Sequence, residues 1–262
     1  MEETILRLNE QIYSFWNKDY IEAVHKEDYH NYLSCFLRKI NKSILTIIGF
    51  NPSLNKDGYK SCFEDTQYKD LEFLIRIHRD NNKNFGKNFH ENINELHDIE
   101  DHIGQKHPYT TKLKQVAENI GIKKTNFLKD VTVLDLFYFR DTNQKNLERR
   151  LIEKIPKSCP TQYQLTSFAR EQLPITMKAL MLSDPDIILV ANAKASNVFI
   201  DYNKEYITEE QYGYIRCYVY SLNDKQVPIF FSSMLSGQRA LDNFSLRRLQ
   251  WDMKKIMERV HD

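Results

Sequence analysis

The sequence predicts an α/β domain of three layers, in which helices cover both faces of a central, mainly parallel sheet of four strands. Short apolar runs of strand length alternate along the chain with longer segments whose apolar residues recur every three or four positions. Such alternation favours parallel pairing, because each helix carries the chain back across the sheet. The chain shows neither an internal repeat nor a low-complexity linker, so we expect residues 1–262 to form a single domain.

The composition is typical of a globular protein and says little about a nucleic-acid partner. The chain has 262 residues, of which 41% are hydrophobic and 28% are charged, and its net charge is +1. A protein that coats DNA without specificity is usually more basic, although a local basic patch is sufficient for binding. The total charge therefore neither supports nor opposes DNA binding.

The spacing of the cysteines argues against a metal held by cysteines, and we expect the protein to use no cofactor. Cys35, Cys62, Cys159 and Cys217 lie far apart and form no CxxC pair, which argues against a zinc site or an iron–sulfur cluster. No apolar run approaches the roughly 20 residues of a membrane span, and the acidic N-terminus lacks the features of a signal peptide. We therefore expect a cytoplasmic protein with no membrane partner.

The N-terminal half contains one clear strand between helical segments. Apolar residues recur at helical spacing through residues 4–40, which predicts N-terminal helices. The run 43–50 (SILTIIGF) is short, apolar and β-branched, so it predicts a buried strand followed by a loop. The segment of about 80–107 is rich in Asn, His and Lys and predicts a polar surface insertion. Pro108 is expected to begin a helix that ends at Gly121.

The C-terminal half continues the alternation of strands and helices. Further strands are predicted at 131–137, 186–193, 215–222 and 227–233. Further helices are predicted at 143–155, about 162–182, about 195–202 and about 241–260. Ligands of open parallel sheets bind beyond the carboxyl ends of the strands. We therefore expect four strand-end loops to converge on one cleft: Gly49–Ser53, Asp135–Thr142, Asn192–Ser196 and Ser232–Arg239.

The first of these loops, Gly49-Phe50-Asn51-Pro52-Ser53, has residues suited to hold a substrate. Gly49 allows the backbone to approach a ligand closely, and Pro52 restricts the turn after Asn51. The Asn51 amide offers an acceptor and two donors, so a rigid loop lets it orient a water molecule for attack. The alternative interpretation is a strand-to-loop turn without chemistry, since Asn-Pro turns are common.

Three other segments complete a pattern along the chain. They are VLDLFYFRDT (133–142), PDIILVANAKAS (185–196) and FSSMLSGQR (231–239). With the first loop, these segments resemble the uracil-DNA glycosylase superfamily, most closely its mismatch-specific, thymine-DNA and single-strand-selective branches. In the last segment, which resembles the second motif of that superfamily, three residues match the motif: Ser233, Leu235 and Ser236. The resemblance covers about residues 44–260.

The resemblance implies a uracil-DNA glycosylase-like fold that hydrolyses the glycosidic bond of a flipped-out uracil-like, modified or mismatched base. It implies that Asn51 positions the attacking water, with Gly49 and Phe50 beside the substrate. Phe63, or alternatively Tyr59, lies where several members have an aromatic residue that stacks on the base. Ordinary core packing is the alternative interpretation of Phe63.

The resemblance also implies substrate and DNA contacts beyond the first loop, in a protein that we expect to be a monomer bound to single- or double-stranded DNA. Asp135 and Asn192 are candidate substrate-binding residues, and Asp65 is a further candidate. For Asp135, a loop residue paired with Arg140 is the alternative. By the motif match, Leu235 would enter the duplex as an apolar wedge, and the residues that contact phosphates would be Ser233, Ser236 and Arg239.

The chain also departs from the second motif of the superfamily. Phe231 replaces a His or Asn, and Ser232 replaces a Pro. Loss of the His removes a hydrogen-bond donor to the departing base, an effect typically worth roughly 3–4 kcal/mol. Two alternatives to an active glycosylase therefore stay open. One is a weakened relative that binds DNA or a nucleotide without excising a base, and the other is a nucleotide-modifying or defence-associated α/β protein that does not touch DNA.

Overall fold

The computed structural model describes residues 2–18, 33–52, 93–94, 97–98, 108–141, 144–159, 161–212, 214–236 and 240–260. The α-helices are α1 (Glu2–Lys18), α2 (Pro108–Asn119), α3 (Phe127–Asp130), α4 (Gln144–Leu151), α5 (Ser167–Ser183), α6 (Ala193–Asn203) and α7 (Asn243–Val260). The strands are β1 (Leu33–Ser34), β2 (Leu45–Gly49), β3 (Val131–Asp135), β4 (Phe139–Arg140), β5 (Ile152–Lys154), β6 (Gln164–Leu165), β7 (Ile187–Ala191), β8 (Ile207–Tyr212), β9 (Ile215–Leu222) and β10 (Lys225–Ser232).

The central sheet has six strands in the order β3-β2-β7-β10-β9-β8. The first four are mutually parallel, and β9 and β8 continue the sheet as antiparallel strands. The class is therefore α/β with a mainly parallel sheet, as the sequence predicts. The predicted number of four strands is wrong, because β8 and β9 extend the sheet beyond the parallel part.

Helices cover both faces of this sheet because its parallel strands are apolar on both sides. Along β2, Ile48 packs on a first face with apolar residues of α1, α5 and α6. Its neighbours Leu45 and Ile47 pack on the second face with α2 and α7. The two clusters make the helix–sheet–helix layering that the alternation of elements predicts. No helix within the described residues is both long and apolar enough to cross a bilayer.

The prediction of helices through residues 4–40 is wrong at its C-terminal end. Leu33–Ser34 forms a strand that pairs antiparallel with β4, and the chain that follows is not helical. The Asn9 side chain holds this segment in place: its Nδ2 donates to the Leu37 carbonyl oxygen at 2.9 Å, and its Oδ1 accepts from the Leu37 amide at 2.7 Å. The apolar residues whose spacing predicted a helix, Phe36, Leu37 and Ile40, lie in the core without forming one.

Two other predicted elements also need correction. The helix predicted over 143–155 ends at Leu151, since the next residues form β5 and pair with β6. The helix predicted from about residue 162 begins only at Ser167, where the Thr166 side chain accepts a hydrogen bond from the Ala169 amide at 3.2 Å. Within the predicted surface insertion 80–107, only 93–94 and 97–98 are described. Both pieces are helical, and Ile93 is buried in the first-face cluster.

Candidate active site

The carboxyl ends of the four parallel strands form one row at the same edge of the sheet. Gly49 pairs with Asp135, and on the other side of β2 the pairing with β7 reaches Ile48 and Val190. Ala191 in turn pairs with Ser232, the last residue of β10. The predicted convergence of four strand-end loops is confirmed at the level of the strands. Because neighbouring strands lie about 4.8 Å apart, the loops after β2 and β10 begin roughly 10 Å from each other.

The strand-end loops lie where open α/β sheets bind ligands, beyond the carboxyl ends of the parallel strands. The chain after β7 enters α6 on the first face of the sheet. Beyond the loop after β2, the described chain resumes with Ile93 on the first face and continues with α2 on the second face. The sequence-predicted residue Asn192 follows β7 directly, and Asn51 follows β2 after one residue.

The hydrogen bonds of its amide nitrogen hold the Asn51 side chain in one orientation. Nδ2 donates to the carbonyl oxygens of Pro52 at 2.9 Å, Asp141 at 3.1 Å and Phe139 at 3.2 Å. Three acceptors around one atom require that atom to be the nitrogen, so they fix the orientation of the amide. Within the described residues, Oδ1 accepts no hydrogen bond, and it is therefore the atom that can hold a water molecule or a ligand.

The loops after β2 and β3 are joined along their backbones beyond the ends of the strands. The Leu136 and Phe137 amides donate to the carbonyl oxygens of Gly49 and Phe50, both at 3.1 Å, and the Asp141 amide donates to that of Pro52 at 3.2 Å. The Phe50 ring turns away from the edge and lies edge-to-face on Phe137, with ring centroids 5.1 Å apart. Its side chain belongs to the core, so any contact of Phe50 with a substrate would involve its backbone.

Asp135 packs directly against Gly49. A β-carbon at position 49 would stand 2.3 Å from the Asp135 Oδ1, so the absence of a side chain in glycine is what allows the carboxylate to lie there. The carboxylate also lies near Tyr109 in the first turn of α2. Burial of the Tyr109 hydroxyl raises its pKa, and the negative charge of Asp135 raises it further. Tyr109 is therefore a neutral hydrogen-bond donor at neutral pH.

A buried hydroxyl pair anchors the loop after β3 to α5. Thr176 donates through Oγ1 to the carbonyl oxygens of Asp135 at 3.1 Å and Leu136 at 3.3 Å. The Tyr138 hydroxyl lies 2.9 Å from the same Oγ1, and it must be the donor because the Thr176 proton already points to the carbonyls. The Tyr138 amide donates to the buried Gln172 side chain at 2.8 Å. These contacts hold Asp135 in its place at the edge.

We expect Thr176→Val to destabilise the protein more than Tyr138→Phe does. The valine leaves the fully buried Tyr138 hydroxyl without its acceptor, at a cost of about 1–3 kcal/mol, whereas the phenylalanine removes a hydroxyl together with its need for a partner. Urea unfolding of both variants and of the double variant measures this difference. Adding Tyr138→Phe to Thr176→Val should recover part of the loss, and a double variant no more stable than Thr176→Val would contradict the assignment.

Asn192 begins α6 at this edge. Its Oδ1 accepts hydrogen bonds from the Lys194 amide at 2.8 Å and the Ala195 amide at 3.2 Å, so its side chain is an N-cap. The Ser196 hydroxyl lies within hydrogen-bonding distance of the carbonyl oxygens of Asn192 at 2.9 Å and Ser232 at 3.3 Å. The ends of β7 and β10 are thereby joined to one helix N-terminus, whose partial positive charge faces the edge.

Lys194 adds a second source of positive charge at the start of α6. Its ammonium group forms an ion pair with Glu148 of α4, and both side chains are only partly exposed. The sequence interpretation did not single out Lys194, Glu148 or Tyr109. A lysine in the first turn of a helix that follows a strand is a weak signal, because such residues are common at solvated helix ends.

The second-motif match implies that Leu235 projects from the surface, but the structure buries it. Its side chain is 2% exposed and packs in the second-face cluster, so the structure does not present it as a wedge. A β-bridge between Met234 and Ala240 closes the loop. The neighbouring apolar side chain, Met234, is exposed instead, with 39% of its surface accessible. Ser233 and Ser236 are half-buried, and their hydroxyls donate no hydrogen bond within the described residues.

Phe231 belongs to β10 rather than to the loop. It pairs with Val190 and is half-buried, and its ring lies 5.5 Å from Tyr218 and 6.2 Å from Phe199. An aromatic ring at this position offers a hydrophobic contact but no hydrogen-bond donor to a departing base.

Several candidates lie outside the described residues. They are Ser53, Tyr59, Phe63, Asp65 and Arg239. Among the residues that the structure describes, no three side chains of the metal-ligating types come together. Asp141, which the sequence interpretation did not single out, is 6% exposed next to Asn51, and its backbone makes two of the contacts that hold this loop.

No protein-family model matches the chain, and comparison with curated proteins gives no match either.

Proposed function

We propose that the protein is a DNA base-excision N-glycosylase, which hydrolyses the glycosidic bond of a flipped-out uracil-like, modified or mismatched base. The observation that carries this proposal is the locked Asn51 amide at the carboxyl edge of the sheet. Three carbonyl oxygens hold its nitrogen, and its oxygen is left to accept a hydrogen bond from water. A water molecule held in one orientation reacts faster, since the cost of orienting it is met before the reaction begins.

The groups around Asn51 suit a reaction in which the base departs as an anion. The water oxygen bonds to the sugar carbon, and the bond to the base breaks with its electron pair going to the base. The N-terminus of α6 and the Lys194 ammonium are positive at the same edge and would stabilise that charge. The amide of Asn51 cannot take the proton that the water loses, and the nearby carboxylate of Asp135 is the group that we assign to this role.

A binding protein that excises no base is the second candidate function. The burial of Leu235 favours it, because an enzyme that acts on a duplex must fill the gap left by the flipped nucleotide. Phe231 also favours it, since a phenyl ring cannot donate a hydrogen bond to the leaving base.

An excision assay with Asn51→Ala tests the proposal. Single- and double-stranded oligonucleotides that contain uracil, hypoxanthine, xanthine or a mismatched thymine are incubated with the protein, and abasic sites are revealed by alkaline cleavage. We expect product from at least one of these bases, and a rate about a hundredfold or more lower in Asn51→Ala.

The matched control is Asn119→Ala, which removes an asparagine whose one hydrogen bond, to Gln250 at 3.0 Å, lies on the second face away from the strand-end loops. It should excise at the rate of the unaltered protein. Both variants are assayed well below their melting temperatures, so that unfolding of Asn51→Ala is not mistaken for a catalytic loss. Binding of these oligonucleotides without any abasic product would exclude the glycosylase and support the binding protein.

A further inference from the structure

Two aromatic rings stack on each other at the protein surface. Tyr214, in the turn between β8 and β9, lies 6.0 Å from Trp251 of α7 with an angle of 27° between the ring planes. The two residues are 67% and 40% exposed, so they form a joint aromatic patch rather than two isolated surface side chains. The parts of the rings that remain exposed can be reached by a planar ligand.

Arginine side chains lie over both rings. The Arg248 guanidinium is 5.4 Å from the centre of the Trp251 ring, and the Arg259 guanidinium is 6.0 Å from that of Tyr214. These four residues form what we call the aromatic–arginine surface. Cations over the ring faces place positive charge beside the rings. A base that stacks on either ring takes the place of the guanidinium above it, and that guanidinium is then able to pair with a phosphate.

The exposed face of α7 extends this positive charge. The helix has five basic residues, Arg247, Arg248, Lys254, Lys255 and Arg259, against two acidic residues, Asp252 and Glu258. Arg248 pairs with Asp252, with 3.1 Å between Nε and Oδ2, and Lys255 pairs with Glu258, with 2.6 Å between Nζ and Oε2. Both acidic residues are therefore engaged by neighbours on the same helix, and the surplus of positive charge faces solvent.

The aromatic–arginine surface lies at the carboxyl edge of the parallel strands, the same edge as the candidate active site. Tyr218 of β9 pairs antiparallel with Ile229 of β10, so the start of β9 and the end of β10 run toward the same edge. Tyr214 comes directly before β9, and Ser233 comes directly after β10. A strand of nucleic acid that passes the candidate active site can therefore continue onto the aromatic–arginine surface.

We propose that the aromatic–arginine surface binds single-stranded nucleic acid, with bases stacked on Tyr214 and Trp251 and phosphates paired with the arginines. The inference deepens the proposed function, on which it rests for the choice of DNA as the polymer. Two adjacent aromatic rings flanked by arginines offer both groups that a single strand needs, planar surfaces for its bases and positive charge for its phosphates. The strand must be single, because the base faces in a duplex are already covered by their neighbours.

Binding of a fluorescein-labelled oligodeoxythymidylate, followed by fluorescence anisotropy at several salt concentrations, tests the proposal. We expect Tyr214→Ala and Trp251→Ala each to weaken binding about five- to a hundredfold, which is the range for loss of one stacked base. Replacing both Arg248 and Arg259 by glutamine should make the salt dependence shallower, by about 0.7 in the logarithmic slope for each lost phosphate contact. Tryptophan emission should fall on binding in the unaltered protein and should not fall in Trp251→Phe.

Matched controls test whether a loss of binding is specific to this surface or follows from the loss of any exposed ring or arginine. Phe244→Ala removes a ring on the same helix that is 81% exposed, and Arg7→Gln removes an arginine that, like Arg248, pairs with an acidic residue one turn away. Neither control should weaken binding. Equal affinity of Tyr214→Ala and the unaltered protein, or a preference for a duplex of the same sequence that survives these substitutions, would overturn the proposal.

The outcome for this surface is independent of the outcome for the proposed function. Asn51→Ala should keep its affinity for oligodeoxythymidylate, and Tyr214→Ala should still excise a base when the oligonucleotide is saturating. Excision without any effect of the surface variants would refute only the surface. Binding through the surface without excision would refute only the glycosylase.

Discussion

Replacing Gly49 by alanine should lower the free energy of unfolding by about 1–3 kcal/mol and displace the Asp135 carboxylate. The added β-carbon would stand 2.3 Å from the Asp135 Oδ1, a separation that real contacts do not have. The backbone at this point is fixed by pairing with β3, so the side chain of Asp135 must move. Urea unfolding measures the cost, and the excision assay measures whether the displaced carboxylate still serves the site.

A double variant shows whether this contact is the cause. Asp135→Ala removes the atom that the new β-carbon meets, so Gly49→Ala should cost clearly less in that background. Gly121→Ala is the control. Gly121 has φ +104° with open space around its β-carbon position, so its substitution costs backbone strain that Asp135→Ala cannot relieve. If Gly49→Ala lowers the free energy of unfolding equally in both backgrounds, the contact with Asp135 is not the cause of the loss.

Asn51→Asp should destabilise the protein more than Asn51→Ala. The alanine removes a donor from three carbonyl oxygens, a loss of about 1–3 kcal/mol, whereas the aspartate places a negative oxygen against the same three acceptors. That repulsion disfavours the charged form, so we expect the pKa of the introduced carboxyl to be raised in the folded protein. A raised pKa means that the folded state binds the proton more tightly, and the penalty therefore grows as the pH rises above the pKa of the unfolded carboxyl, about 3.9.

Chemical unfolding of both variants at pH 4 and pH 7 measures this difference. The gap between Asn51→Asp and Asn51→Ala should be wide at pH 7 and narrow at pH 4, where a protonated carboxyl can again donate. Asn119→Asp is the control, since Asn119 is exposed and, within the part of the chain that the structure describes, donates to one acceptor. If Asn51→Asp and Asn51→Ala are equally stable at pH 7, the Asn51 nitrogen does not face the three carbonyls.

The parallel part of the sheet could be predicted because burial on both faces leaves a strong local signal. The central strands β2 and β7 are buried at every position, and their sequences are apolar except at Thr46 and Gly49. The sequences of β3 and β10, VTVLD and KQVPIFFS, contain shorter apolar stretches. The edge strand β8 was missed for the opposite reason. Its sequence, ITEEQY, is exposed at its four central positions and carries two glutamates, so it has no apolar pattern to detect.

The contacts of the candidate site could be predicted only in part, because they depend on how distant segments meet. The position of Asn51 after a strand follows from the sequence, but two of its three carbonyl partners, Phe139 and Asp141, lie some ninety residues away and are brought to it by register and turn geometry. Leu235 shows the same limit. A motif match fixes the residue type, whereas the bridge between Met234 and Ala240 decides which side chain of that loop turns inward.

The backbone bonds between the loops after β2 and β3 make them a single mechanical unit. The amides of Leu136, Phe137 and Asp141 cannot exchange with solvent unless their bonds to the first loop open. We therefore expect the two loops to move together when a ligand contacts Asn51. The ends of β7 and β10 are joined separately through Ser196 at the start of α6, so the edge of the sheet consists of two halves with different anchors.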